Sequence, residues 1–138
     1  FAGVSRAVVP ALDDDLRAAI PAGFNIGLIV GSSGTGKSSL LAQFGKVTPS
    51  EWRPGAPVVD HFDDLDDARE RLLAGGLGHA AAWMRPFAAL SIGEQHRAEV
   101  ARAIGPGTCV DEFTSAVDRP TAVGMASAVG ELARARGW

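Results

Sequence analysis

The segment Phe24 to Val30 (FNIGLIV) is apolar, short and rich in β-branched side chains, and it runs directly into Gly31-Ser32-Ser33-Gly34-Thr35-Gly36. An apolar run of this length, bounded by glycines, predicts a buried strand. The residues after it, Lys37 to about Phe44, predict a helix. A strand, a glycine-rich loop and a helix in immediate succession point to an α/β fold with a mostly parallel sheet.

The rest of the chain supplies further alternation. Asp13 to Asp15 predict the start of a short helix ending near residue 20, and Pro21-Ala22-Gly23 a turn. The proline- and glycine-rich stretch 45–57 reads as a loop, and Val58-Val59-Asp60 as a minimal strand. Residues 64–74 predict a helix with Leu65, Ala68, Leu72 and Leu73 on one face, stopped by Gly75-Gly76. Residues 79–89 are ambiguous between helix and loop, with Pro86 breaking the run. Ser91 to Ile104 is the clearest helix. It opens on the capping-box pattern of Ser91 and Glu94 and carries Ala98, Ala101 and Ile104 as its apolar stripe. Thr108-Cys109-Val110 predicts a short strand. A last helix is expected from about Pro120, capped by Asp118, with Val123, Ala126, Val129 and Leu132 facing inward.

Composition narrows the function classes. The 138 residues include 13 Lys+Arg against 16 Asp+Glu, for a net charge of −3. An acidic balance without a basic block does not indicate nucleic-acid binding. No apolar run approaches the roughly 20 residues that span a bilayer. Cys109, the single cysteine, excludes an internal disulfide and suits a reducing, cytoplasmic setting; its place on a predicted strand makes it a small core residue. The chain begins at Phe1 and stops at Trp138 in what reads as a helix, so both ends are expected to be cut. The length suits one domain.

The glycine loop carries the sharpest chemistry. Gly31-Ser32-Ser33-Gly34-Thr35-Gly36-Lys37-Ser38 matches G-x-x-x-x-G-K-[ST] at every fixed position. Glycines let the backbone close around phosphate oxygens and turn N–H groups inward as an anion nest. Lys37 would supply a mobile charge for the β- and γ-phosphates, and the Ser38 hydroxyl a ligand for Mg²⁺. Gly31 to Ser39 is therefore the expected nucleotide-binding segment. Only Lys37 and Lys46 among the basic residues are lysines, and one of them stands where a compact ammonium is required.

Further motifs follow in order. Val110-Asp111-Glu112 ends a β-like run, preceded by Leu90-Ser91-Ile92-Gly93-Glu94-Gln95 and followed by Ser115-Ala116-Val117-Asp118. With these residues the chain resembles the ATP-binding-cassette (ABC) ATPase superfamily. LSIGEQ is similar to its signature, VDE to its Walker B, and SAVD to its D-loop. The resemblance implies a partial P-loop NTPase domain over 1–138, a three-layer RecA-like core truncated at its C-terminus. Residues 60–104 would be a shortened helical insertion. It implies ATP and Mg²⁺ as cofactors, the metal held by Ser38 and Asp111, and hydrolysis by Lys37 and Glu112. It also implies a head-to-tail, ATP-dependent homodimer. There Ser91, Ile92, Gly93 and Glu94 would meet the partner's ATP, with Ser115 and Asp118 in the D-loop.

Departures qualify that expectation. The short interval between Lys37 and Ser91 argues for a soluble ATPase over a transporter engine. His61, His79 and His96 all precede Asp111, so none can be the switch histidine. His61 is the nearest positional candidate for the Q-loop, against the plainer reading of a loop histidine. The short spacer, Asp60-His61-Phe62, Trp83-x-x-Pro86 and Asp111 to Ser115 are similar to a small group of ABC-type ATPases. That group is found fused to, or beside, a GNAT-type acetyltransferase domain. The alternatives are an ATP-gated dimerisation module with little hydrolysis and a small-molecule P-loop kinase. Asp60, Asp63, Asp64, Asp66, Asp67 and Glu70 lack the spacing of a calcium loop and read as a solvated helix start.

Overall fold

Helix caps organise the fold. The computed structural model describes residues 14, 18, 20, 21, 23–45, 47 and 50–138. The helix expected over 13–20 lies largely outside the described residues. Five α-helices follow in order: α1 (Lys37–Leu41), α2 (Leu65–Ala74), α3 (Ala80–Trp83), α4 (Ile92–Ala103) and α5 (Arg119–Arg136). Two 3₁₀ turns, Val58–His61 and Phe87–Ala89, lie between them.

The long helices begin and end where their sequences direct. The Asp64 carboxylate accepts from the Asp67 N–H at 2.8 Å to start α2, which satisfies a donor that the first turn leaves without a partner. At the other end, Gly76 N–H donates to Leu73 O and Leu77 N–H to Leu72 O. This is a Schellman cap, and Gly76 holds its left-handed corner at φ 83°. Ser91 and Glu94 form a complete capping box on α4. Asp118 caps α5 through the Thr121 N–H, with a proline in its first turn. Gly137, at φ 65°, closes α5 with a second Schellman cap through Trp138 N–H and Ala133 O. The last helix is thus ended by its own residues.

Helix α2 is the centre of the packing, lying against both α4 and α5. One apolar cluster joins Ala68, Leu72 and Leu77 to Ala98 and Ala101 of α4 and to Val58 and Leu90. A second joins Ala74 to Val100 and Ile104 and to Met125 and Leu132 of α5. The α4 stripe is as expected. On α2 only Ala68 and Leu72 of the predicted face are buried, while Leu65 and Leu73 are exposed. On α5 the inward residues are Met125, Leu132 and Ala133, and Val123 faces solvent.

The expected α/β architecture is overturned. No β-strand forms among the described residues, where bridge positions stand singly, as between Pro57 and Pro86. Phe24 to Val30 is not a buried strand: Leu28 is 84% and Val30 78% exposed. A strand is completed only by a neighbour's backbone groups, and the two segments expected to supply neighbours do otherwise. Val58–His61 winds into a 3₁₀ turn led by Pro57, whose fixed φ favours a turn start. Cys109 and Val110 have no strand assignment. Residues 60–104, expected to be helical, hold α2, α3 and α4. No described helix is long and apolar enough to cross a membrane.

Candidate functional site

The loop between Val30 and α1 turns on two glycines. Gly34 and Gly36 take φ of 76° and 84°, a left-handed conformation that a Cβ opposes. The Thr35 hydroxyl and the Lys37 ammonium both donate to the Ser32 carbonyl, at 2.8 and 2.7 Å. The lysine therefore lies folded over its own loop.

A contact distant in sequence brings carboxylates to this loop. Cys109 is buried beside the end of α1, its thiol directed at the Leu41 carbonyl at 3.5 Å. Burial pushes that thiol above its ordinary pKa, which suits the core role read from sequence. Gly45 permits the approach, since a Cβ there would lie 2.7 Å from Gly107 O and 3.1 Å from Cys109 Sγ. Two residues on, Asp111 and Glu112 face the loop. The result is a pocket of about 340 Å³ lined by Ser33, Gly34, Gly36, Lys37, Ser38, Ser39, Asp111 and Glu112. Glu112 adopts φ 51°, the sole non-glycine in the left-handed region among the described residues. Such a conformation costs about 1–2 kcal/mol. It is held by its N–H donating to Asp111 Oδ1 at 2.9 Å and its carbonyl accepting from Ser115 N–H at 3.0 Å.

The other expected site residues have local structural roles. Ser91 and Glu94 bond each other, with Ser91 N–H and hydroxyl each 2.8 Å from Glu94 Oε2. The Ser91 N–H bond, then the hydroxyl, holds the Glu94 carboxyl below its ordinary range. Ile92 is 83% exposed, and Gly93 lies near Ala116 O. Asp118 accepts from Thr121 N–H, which lowers its pKa in the same way. None of these residues lines the loop pocket. His61 is fully engaged: Arg53 N–H donates to its Nε2 at 2.8 Å, and its Nδ1 lies 2.9 Å from Pro57 O.

The structure also reveals groups that the sequence reading passed over. Asp67, within the acidic run, accepts from Arg71 Nε at 2.8 Å and Arg136 Nη1 at 2.5 Å. Desolvation pushes its pKa up, but the hydrogen bonds from Arg136 and Arg71 outweigh that and hold it low. Arg136 also reaches Glu70 at 2.6 Å, tying the end of α5 to α2. Only the (i, i+4) spacing of Asp67 and Arg71 was a sequence signal.

These findings correct the chemistry expected from the motifs. The ATP loop of the resembling superfamily is set between a sheet strand and a helix. Here the preceding run joins no sheet, and α1 has five residues. Ser38 and Asp111 share a pocket, yet no group of three or more His, Cys, Asp or Glu able to hold a metal converges among the described residues. The P-loop NTPase fold, the ATP and Mg²⁺ cofactors and hydrolysis by Glu112 and Lys37 are overturned together. The ATP-gated and kinase alternatives rested on the same nucleotide site and fall with it. No protein-family model, curated protein or solved structure matches this chain. The ABC resemblance and its acetyltransferase-linked branch thus find no support from relatives, and the helical fold contradicts them.

Proposed function

We propose that this chain is a helical binding module whose loop 31–39 takes up a small oxyanion without chemical turnover. The observation carrying this reading is the loop pocket, where Lys37, Ser38, Ser39 and two left-handed glycines converge. Lys37 is parked on a neutral carbonyl. An arriving anion offers it a stronger, charge-assisted partner. Asp111 and Glu112 across the pocket oppose multiply charged ligands and set a weak affinity. The free, buried Cys109 supports a reducing setting such as the cytoplasm.

The test is titration with inorganic phosphate, following the backbone amides of Gly34 and Gly36. Both should shift saturably in the millimolar range, and Lys37→Ala should weaken binding about tenfold. Silent amides, or a variant matching wild type, would refute the reading.

A second reading concerns partners. The exposed apolar side chains of Phe24, Ile26, Leu28 and Val30 favour association of two copies, independent of any nucleotide.

A further inference from the structure

A second pocket, remote in sequence from the loop, is lined by His61, Phe62, Asp63, Asp67, Arg71 and Arg102 and has a volume of about 180 Å³. We infer that it binds a small, singly charged carboxylate through the Arg102 guanidinium.

Arg102 is the one arginine of this wall that makes no direct salt bridge, with Glu99 and Asp63 acting on it only at longer range. Arg71 is committed to Asp67 at 2.8 Å and to the Ile104 carbonyl at 2.7 Å. Arg102 makes no ion pair within 4.0 Å among the described residues. One of its donors goes to the His61 carbonyl. Its position is set by rings: the guanidinium carbon lies 5.3 Å from the Trp52 centroid and 5.8 Å from that of Phe62. Trp52 is itself fixed, stacked on Phe87 at 4.5 Å and donating from Nε1 to Glu99 at 2.6 Å. A guanidinium held this way has lost its rotamer freedom before any ligand arrives.

Its remaining donors form a fork that matches a planar carboxylate bidentately. Size and charge narrow the class. The volume falls below the roughly 300–1,000 Å³ of sites for drug-sized ligands, so the occupant has few heavy atoms. Asp67 is neutralised by Arg71 and Arg136, but Asp63 on the same wall carries a charge that repels dianions. The Phe62 ring gives the occupant an apolar side to lie against.

The experiment titrates acetate, with inorganic phosphate for comparison, into the whole chain and follows the three tryptophan indole N–H signals. Trp52 lies against Arg102, whereas Trp83 donates to the Leu77 carbonyl at 2.6 Å and serves as internal control. Acetate should move Trp52 saturably and leave Trp83 in place, and phosphate should bind more weakly. Arg102→Gln should weaken acetate binding about tenfold, and Asp63→Asn should strengthen it about threefold. Lys37→Ala should change nothing, which separates this pocket from the loop. Should Arg102→Gln not fold, Asp63→Asn still decides, because its side chain is exposed. Equal drift of Trp52 and Trp83, phosphate binding tighter than acetate, or an Asp63→Asn variant no tighter than wild type would overturn the assignment.

Discussion

Asp67 shows how a residue from an acidic run becomes a structural hub. Its neighbours Asp63, Asp64 and Asp66 are exposed, whereas Asp67 is 8% exposed and bonded to two arginines from different helices. Asp67→Asn removes the charge and leaves Arg71 and Arg136 facing a neutral amide. The expected loss is about 2 kcal/mol at pH 7, read from urea midpoints. Because the folded-state pKa is lowered, the unfolded chain binds the proton more readily. The carboxylate's contribution is therefore complete above the ordinary value of 3.8 and is lost as pH falls through the folded value. Glu94 and Asp118, also lowered, act in the same direction. Wild type should lose stability more steeply than Asp67→Asn as pH drops below 3.8. Parallel acid profiles would remove Asp67 from this role.

At the scale of elements, the close crossing of α2 and α4 depends on a missing side chain. A Cβ on Gly75 would lie 2.8 Å from the Arg97 carbonyl and 2.9 Å from the Ala101 Cβ. Both are parts of the α4 framework that cannot swing away. Gly75→Ala should therefore destabilise by about 2 kcal/mol through overpacking. Gly78→Ala, with nothing within 4 Å, should be close to neutral. Thermal melts of the two variants make the comparison, and equal melting temperatures would show that α4 can retreat. The sequence pattern Gly75-Gly76 predicted a helix stop, and Gly76 provides it. That Gly75 also admits a neighbouring helix was not readable, because the neighbour lies 22 residues or more along the chain. The capping residues Ser91 and Asp118 were legible for the opposite reason: each bonds an N–H three residues away. Asp64, expected as the first residue of its helix, caps it by the same short-range bond.

Across the whole molecule, the largest departure from expectation is the run Phe24–Val30. Its composition suits a strand, but composition cannot supply the second backbone that makes one. It forms neither helix nor strand and bends at Asn25, whose side chain donates to the Trp138 carbonyl. An apolar run left uncovered is a site for association. Sedimentation should show a concentration-dependent dimer for wild type and a smaller dimer fraction for Leu28→Asp, with helical content unchanged. Monomers at every concentration in both would dismiss the self-association reading. The candidate site was legible in part. Ser33, Gly34, Gly36, Lys37, Ser38 and Ser39, all within the glycine loop and its motif, line one pocket with Asp111 and Glu112. The nucleotide chemistry of that motif depends on a sheet, and none forms among the described residues.

By itself the sequence determined where the main helices begin and end, since caps, proline starts and glycine stops act between residues three to five apart. It also determined that Asp111 and Glu112 follow a buried cysteine and that Gly34 and Gly36 bend a loop. Only the tertiary structure decided that the apolar run finds no strand partner and that α2 lies between α4 and α5. It alone left Arg102 among aromatic rings without a direct salt bridge. Each of these depends on which distant groups meet, and a backbone edge, a helix face or an unpaired charge acquires its meaning only from the neighbour that covers it or leaves it open.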